Sequence, residues 1–354
     1  MKKNLKVVAS ILILAVFALS LAGCGSPAPA PTPEPSENGE VNGDSVRDIQ
    51  ERTWMLGTIR PEGSTADEAV EAFIANISEN SDGMIKIEKY PNSQLGDYSV
   101  VQERIGIGDV EMQLAPASTR VSRDLGIASA PMLAATWDEA REIYAPGGEM
   151  MAVIEELFAS ENIKILGNYP VYFGGIALTA EPNEPANPDV SKGLKIRVPG
   201  IKAFELTAEA LGFIATPIAF AELFTALQTG IVEGAIGAGA EGYYTNFRDL
   251  ITHYMPVNNH FEIWFVQMSM DVWNDLSDDE KSIVTDAADK LQANRWDVAE
   301  AETQVFEDLL AENGAIVYEF TDEELVYMAE KVRREVWPQL ETEFGTEIYN
   351  QFMQ

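Results

Sequence analysis

The chain has 354 residues, a formal net charge of −33 and one cysteine. A negative field of this size repels nucleic acid and anionic lipid surfaces, so we expect no nucleic-acid partner. A single cysteine excludes an intrachain disulfide and a cysteine metal cluster, and no metal site is expected. The acidity is typical of a highly soluble protein or of adaptation to a saline or alkaline medium, and the sequence leaves both explanations open. Binding of a small anion would require a locally placed cation.

The N-terminus has the features of an export signal. Three lysines precede an apolar run from residue 7 to residue 22, which is short for a membrane span. The run ends in Leu-Ala-Gly-Cys, which resembles a bacterial lipobox. The sequence therefore predicts a lipoprotein signal peptide at residues 1–23 and lipidation of the sulfur of Cys24. The alternative is an ordinary signal peptide that contains a cysteine.

Residues 24–48 are rich in Pro, Glu, Ser and Gly and show almost no apolar periodicity. Such a segment cannot bury enough apolar surface to offset its ordering entropy, so we expect a disordered linker. Its alternating prolines favour an extended chain of about 3 Å per residue, or a tether of roughly 60 Å. The protein is therefore expected outside the cytoplasm, lipid-anchored to the outer face or periplasmic side of the cell membrane.

The rest of the chain alternates short apolar strands with amphipathic helices. Its length of about 310 residues indicates two domains, and the alternation is typical of α/β architecture with largely parallel sheets. The predicted strands are 54–59, 85–88, 110–114, 163–166, 194–198 and 231–236. Thr65 and Glu68 have the spacing of a capping box, which predicts Thr65 as the N-cap of the first helix. The other predicted helices cover 100–105, 137–158 with an interruption near 146–148, 203–211 and 220–227.

The C-terminal third is predicted to be helical. Ser277 and Glu280 have the spacing of a capping box, and no Pro or Gly occurs between residues 278 and 312. This pattern predicts one long helix of about 50 Å that can support both domains. A further helix is expected over residues 321–344, with a break at Pro338.

Motifs for catalysis and cofactor binding are weak. The two histidines, His253 and His260, are separated by Pro256, so we interpret them as packing or hydrogen-bonding residues. No nucleophile elbow, phosphate-binding loop or His-Glu-x-x-His motif occurs, and catalysis would have to rest on carboxylates, as in a hydrolase. Residues 237–242 match Gly-x-Gly-x-x-Gly, but small residues that let the chain bend near a cleft are the preferred explanation. We therefore predict no enzyme activity, no catalytic residues and no cofactor.

Arg197 is the most informative charged residue. It lies near the C-terminal end of an apolar strand, just before Pro199 and Gly200. Ligands of open α/β sheets bind at that end of the strands, and a guanidinium there can hold a carboxylate through two parallel hydrogen bonds. The alternative is a salt bridge to one of many acidic neighbours.

Several short motifs follow one another in an order typical of a known family. They are Tyr-Pro-Asn-Ser-Gln-Leu-Gly at residues 90–96, Gly-Asp-Val-Glu-Met at 108–112, Gly-Leu-Lys-Ile-Arg-Val-Pro-Gly at 193–200, Pro-Ile-Ala-Phe-Ala-Glu at 217–222, Thr-Ala-Leu-Gln-Thr-Gly-Ile-Val-Glu-Gly at 225–234 and the segment from 261 to 278. Over residues 52 to 350 the chain resembles the solute receptors of TRAP (tripartite ATP-independent periplasmic) transporters, of the dicarboxylate-receptor or DctP type.

The resemblance implies two α/β domains of the periplasmic-binding-protein type II (Venus flytrap) kind, with an inter-domain cleft and a long C-terminal scaffold helix. Domain I is expected to comprise residues 49–174 and 259–300, and domain II residues 175–258 and 301–354. The resemblance also implies a receptor that delivers a small organic carboxylate to small and large TRAP membrane subunits, driven by an ion gradient. A ligand-sensing protein that reports to a membrane signalling receptor is the alternative.

In this family the arginine that matches Arg197 clamps the ligand carboxylate. Two departures remove polar groups from the expected pocket. Gly174 lies in a segment where many members have a second arginine, and residues 235–238 replace Gln-Glu-Asn-Pro. Both changes favour a monocarboxylate with a less polar body. The candidate ligand-binding residues are Arg197, Glu222, Phe220, Gly174, Ala238, Tyr243, Phe261 and Trp264, and core packing is an equal explanation for the last three.

Overall fold

The computed structural model describes residues 47–353. The predicted signal peptide, Cys24 and nearly all of the predicted linker lie outside the described residues. In the described range no helix has both the length and the apolar character needed to cross a membrane.

Within the described residues, eleven strands form two sheets. They are β1 (Arg52–Thr58), β2 (Ile85–Tyr90), β3 (Met112–Pro116), β4 (Ile163–Phe173), β5 (Gly175–Leu178), β6 (Lys195–Val198), β7 (Ile214–Pro217), β8 (Gly234–Ala238), β9 (His253–Met255), β10 (Phe261–Ser269) and β11 (Ile316–Val317). The first sheet has the order β2-β1-β3-β10-β4, and the second has the order β11-β9-β5-β8-β6-β7.

The helices cover the sheets and connect their strands. They are α1 (Thr65–Asn80), α2 (Tyr98–Gly106), α3 (Trp137–Ile143), α4 (Glu149–Ser160), α5 (Lys202–Ala210), α6 (Leu223–Gln228), α7 (Ala240–Phe247), α8 (Met270–Asp275), α9 (Asp278–Glu312), α10 (Asp322–Phe344) and α11 (Thr346–Phe352). Short 3-10 helices lie at Arg123–Ser129 and Phe220–Glu222.

The sheets are mixed, so the expectation of largely parallel sheets was wrong. β1 pairs in parallel with β2 and β3, and β6 pairs in parallel with β7 and β8. β10 runs antiparallel to β3 and β4, and β5 runs antiparallel to β8 and β9. The chain leaves the first sheet at the end of β4 and re-enters it at the start of β10. Because β10 lies beside β4, it runs in the opposite direction to β4.

The expected domain boundaries stay a prediction. The chain changes sheets between β4 and β5, at Gly174, again between β9 and β10, and a third time between β10 and β11. The boundary expected after residue 300 falls inside α9, which continues without interruption. This helix contacts β4 of the first sheet as well as α7, which follows β8 of the second sheet.

The long helix α9 was predicted correctly at both ends. The Ser277 hydroxyl accepts a hydrogen bond from the backbone N–H of Glu280, and the Glu280 carboxylate accepts one from the backbone N–H of Ser277, so the capping box is confirmed. Glu280 is buried and also pairs with Arg52 at the start of β1, with 2.8 Å between Nε and Oε1. The first turn of the helix is therefore tied to the first strand.

Two local predictions about helices were wrong. The N-cap of α1 is Ser64, whose hydroxyl accepts from the N–H of Asp67, and not Thr65. Pro338 does not end α10, which runs on to Phe344. A proline removes one helical hydrogen bond, but Val336 and Leu340 on either side of it are buried, and their packing keeps both halves in one helix.

The strand β10 separates two buried apolar clusters. Ile263 and Phe265 belong to the cluster that packs against α4, whereas Trp264 and Val266 belong to the cluster that packs against α9. Because successive side chains of a strand point to opposite faces, each cluster covers one face of the first sheet. This alternation decides which residues of β10 can reach a ligand.

Candidate ligand-binding site

Arg197 is held inside the protein by backbone carbonyls. Its side chain leaves the end of β6 and is only 2% exposed. The Nε donates to the carbonyl of Ile218 at 2.8 Å, and Nη1 donates to that of Ile236 at 3.4 Å. None of the ion pairs within residues 47–353 includes this guanidinium. The geometry therefore does not match the salt bridge considered as an alternative.

The guanidinium lies at the junction of two cavities. The inner one has a volume of about 20 Å³ and is lined by Arg197 together with Arg60, Tyr98, Tyr172, Phe220, Glu262 and Trp264. The outer one is a cleft of about 300 Å³, with Asp97, Arg120 and Gly200 among its lining residues. The inner volume has room for about one water molecule, whereas the outer one is at the lower end of the range for ligand pockets.

Burial sets the electrostatics of Arg197. It lowers the pKa of the guanidinium from its ordinary value, because a buried position disfavours the charged form. The nearby hydroxyls of Tyr98 and Tyr243 act in the opposite direction. Burial also raises the pKa of Tyr98, so its phenol is a neutral donor beside the guanidinium.

A second arginine, Arg60, lines the inner cavity. It is 1% exposed and forms an ion pair with Glu241 of α7, with 2.6 Å between Nη2 and Oε2. Its Nη2 also lies 3.2 Å from the Tyr172 hydroxyl, and its Cζ lies 4.7 Å from the centre of the Trp264 ring. Burial opposes the charged form, but Glu241 and Tyr172 outweigh burial and raise the pKa of Arg60.

Arg60 was not predicted as a site residue. In the sequence it directly follows the predicted strand 54–59. However, β1 pairs in parallel with both of its neighbours, and Arg60 lies just beyond its C-terminal end. The rule that singled out Arg197 therefore applies equally to Arg60.

Glu262 is a buried carboxylate on the wall of the inner cavity. Its Oε2 lies 2.8 Å from Nε2 of His260, and its Oε1 accepts from the indole N–H of Trp264 at 2.6 Å. The other ring nitrogen of His260 lies 2.7 Å from the side-chain amide of Asn259. Phe204 packs edge-on against the His260 ring, with 4.7 Å between the ring centres.

Two of the predicted aromatic residues line the cavity with Arg197, and two do not. Phe220 and Trp264 face it, and the Arg197 Cζ lies 5.7 Å from the centre of the Phe220 ring. Tyr243 is buried behind β8, where its hydroxyl donates to the carbonyl of Ala235 at 2.7 Å. Phe261 points to the opposite face of β10 and packs in the core against Tyr144.

The remaining predicted residues line neither the inner cavity nor the outer cleft. Glu222 is exposed at the end of the second 3-10 helix, and Ala238 is buried at the end of β8. Gly174 lies where the chain changes sheets, and its N–H donates to the carbonyl of His260 at 2.8 Å. A Cβ at Gly174 would lie 2.1 Å from the His260 ring, so no larger residue fits without rearrangement.

The glycine motif at residues 237–242 serves close packing at the cavity wall. Gly237 lines the inner cavity beside Arg197. A Cβ at Gly242 would lie 2.7 Å from Nη2 of Arg60. Glycine at this position therefore lets the start of α7 approach the Arg60 guanidinium, as expected for a bend near a cleft.

The fold is that of the periplasmic solute-binding proteins of TRAP transporters. Its solved neighbours include the sugar acid binding protein DctPAm from Advenella mimigardefordensis, in complex with galactonate. That structure aligns with a TM-score of 0.80 and 23% sequence identity over 86% of this chain and 98% of the neighbour. The predicted two-domain α/β fold class is thereby confirmed.

The family follows from the sequence comparisons. The model of the bacterial extracellular solute-binding proteins, family 7 (DctP), matches residues 56–342, and the chain belongs to that family. The sialic acid-binding periplasmic protein SiaP of Vibrio cholerae is 28% identical over 68% of this chain and 74% of its own length. The C4-dicarboxylate-binding periplasmic protein DctP of Rhodobacter capsulatus is 25% identical over 72% and 80%, respectively. The prediction of an extracytoplasmic solute receptor is confirmed, and these relatives are solute-binding proteins rather than enzymes.

Proposed function

We propose that this receptor binds a small organic monocarboxylate and that Arg197 holds its carboxylate. The observation that carries the proposal is a buried guanidinium that has no carboxylate partner among residues 47–353 and lies where an inner cavity meets an open cleft. An unpaired buried charge is unfavourable by several kcal/mol. A ligand carboxylate would supply the missing negative charge through charge-assisted hydrogen bonds.

Arg60, the second cation of the inner cavity, has a charge state that favours a ligand with one carboxylate over a ligand with two. A C4-dicarboxylate, the ligand named for the relative from Rhodobacter capsulatus, carries two anionic groups to be neutralised. Here Arg60 is already neutralised by Glu241. Sialic acid and galactonate, named for the other two relatives, carry a single carboxylate each. The expectation of a less polar ligand body has weaker support, because Glu262 and two tyrosines add polar groups to the cavity.

The receptor role includes a membrane partner and an anchor. The ligand would pass from the cleft to the small and large membrane subunits of a TRAP transporter. Lipidation of Cys24 would keep the receptor at the outer face of the cell membrane, close to those subunits. No step of this role requires catalysis, and we propose that the protein is not an enzyme.

The proposal is tested by replacing Arg197 with alanine. We expect galactonate, sialic acid or another monocarboxylate to bind the wild type in titration calorimetry, and binding to weaken about 30- to 1,000-fold in R197A, because charged hydrogen bonds are lost. The matched control is Arg334→Ala, which removes an exposed arginine paired with Glu335. Equal affinity of R197A and wild type would refute the carboxylate clamp.

The stability of the variant needs a separate measurement. R197A removes the donors to the carbonyls of Ile218 and Ile236, which lowers the free energy of unfolding, but it also removes an unpaired buried charge, which raises it. Affinity is therefore compared at a temperature at which circular dichroism shows that both proteins are folded.

A further inference from the structure

We propose that Asp97 makes the receptor select ligands with a single carboxylate, because its negative charge repels a second anionic group in the outer cleft. The inference rests on the proposed function, since it assumes that Arg197 holds the ligand carboxylate. It identifies the residue that limits the number of anionic groups in the ligand.

The position of Asp97 places its charge in the outer cleft. Asp97 lines this cleft of about 300 Å³ together with Arg197. It lies between β2 of the first sheet and α2, whereas Arg197 lies in β6 of the second sheet. Burial lowers the pKa of Arg197, and the negative charge of Asp97 opposes that shift, so the two groups interact electrostatically. A ligand carboxylate at Arg197 would therefore be within range of a second negative charge.

The charge of Asp97 is not cancelled by a protein cation. Its Oδ1 accepts hydrogen bonds from the backbone N–H of Ser99 at 3.1 Å and from the Ser99 hydroxyl at 2.6 Å. Its Oδ2 lies 3.4 Å from the backbone nitrogen of Ala221, which donates to it. All three donors are neutral, and none of the ion pairs within residues 47–353 includes Asp97. As the N-cap of α2, the carboxylate also faces the positive end of the helix dipole, which favours its charged form.

The charge balance of the outer cleft disfavours a dianion. Its charged lining residues within the described part of the chain are Asp97, Arg120 and Arg197. Arg120 pairs with Glu103, with 2.6 Å between Nε and Oε1, so those two charges cancel. Arg197 and Asp97 then leave the cleft neutral before a ligand enters. One ligand carboxylate brings its net charge to −1, whereas a second one finds no free cation in the lining and is repelled by Asp97.

The variant Asp97→Asn removes this charge without removing the helix cap, because Asn and Asp are equally good N-cap residues. Its side-chain oxygen can accept the same hydrogen bonds from Ser99. Asp97→Ser, which also provides an N-cap, repeats the test with a shorter side chain. The matched control is Asp289→Asn, which removes one exposed carboxylate from α9 and changes the net charge of the protein equally.

The ligands are pairs of compounds of equal chain length that differ in a second carboxylate: butyrate and succinate, galactonate and galactarate, and gluconate and glucarate. Each is titrated calorimetrically into the full chain. We expect wild type and D289N to bind the monocarboxylate of at least one pair at least about 10-fold more tightly, as for two like charges roughly 8 Å apart near a protein surface. D97N and D97S should reduce this preference to less than about 3-fold by binding the dicarboxylate more tightly. Added salt should reduce the wild-type preference but not that of D97N.

Three outcomes would overturn the proposal. The first is a wild type without such a preference in any pair. The second is that D97N and D97S, folded by circular dichroism, keep the full preference. The third is that D97N binds the monocarboxylate more than about 10-fold more weakly, because Asp97 would then bind the ligand instead of repelling it. Unchanged binding by R197A would instead refute the carboxylate clamp, and with it the proposed function.

Discussion

The buried ion pair of Arg60 and Glu241 connects the end of β1 to the start of α7. Removing one partner of a buried pair leaves an uncompensated charge, so Arg60→Met or Glu241→Leu should each lower the free energy of unfolding by about 3–5 kcal/mol. The double variant should lose much less free energy of unfolding than the sum of the losses in the two single variants, because no unpaired buried charge remains. Urea unfolding followed by circular dichroism measures all three.

The exposed pair of Lys86 and Glu51 provides the control for this cycle. Both side chains are more than half exposed, and Lys86→Met should change the free energy of unfolding by less than about 1 kcal/mol. If the loss of unfolding free energy in the Arg60 and Glu241 double variant equalled the sum of the two single losses, the two charges would not be coupled.

The location of a single residue could be predicted from the sequence where it depends on position along a strand. It was not predicted where it depends on the face of the sheet to which the side chain points. The end of a strand before Pro199 predicted the burial of Arg197 near a cavity. Phe261 and Trp264 are three residues apart on one strand and therefore face opposite ways, a pattern visible in the sequence but not applied. The pairing of Arg60 with Glu241 could not be predicted, because 181 residues separate them along the chain.

At the scale of elements, α9 carries a carboxylate with a strongly shifted pKa. Burial, with a contribution from Asp308, raises the pKa of Glu307 from 4.5 to about 7. The folded state therefore favours the protonated form. Its contribution to stability is fully present below pH 4.5 and is lost as the pH rises through 7.

The variant Glu307→Gln should remove this pH dependence. At pH 8 it should be more stable than the wild type by about 1–2 kcal/mol, because the shift corresponds to about 3 kcal/mol before solvent screening of this half-buried side chain is considered. At pH 4 the two proteins should unfold alike. The control is Glu312→Gln, at an exposed position of the same helix. Equal urea midpoints of wild type and E307Q at pH 8 would contradict the prediction.

The two long helices show which elements local sequence determines. The capping box and the absence of Pro and Gly determined both ends of α9. In α10 the tertiary packing of Val336 and Leu340 overrides the local effect of Pro338. The antiparallel strands β5 and β10 were beyond local prediction, since their direction depends on partners distant in sequence.

On the scale of the whole molecule, acidity and ligand binding impose opposite requirements. A net charge of −33 opposes the approach of an anion. Burial of Arg197 resolves this conflict locally, because a charge in a low-dielectric site acts strongly at short range and is little screened by salt. The composition predicted the need for such a cation, whereas the compensating pair of Arg60 and Glu241 required the structure.

The proposed lipid anchor at Cys24 concerns the location of the whole molecule. Two acyl chains give stable attachment to a membrane, at about 0.8 kcal/mol for each buried methylene, whereas one chain gives only marginal binding. If Cys24 carries a diacylglyceryl group, the wild type should sediment with the membrane fraction and Cys24→Ser should move to the soluble fraction. Ser26→Ala is the control and should sediment as the wild type does. A wild type found in the soluble fraction would favour the ordinary signal peptide, and the receptor would then reach the transporter by diffusion.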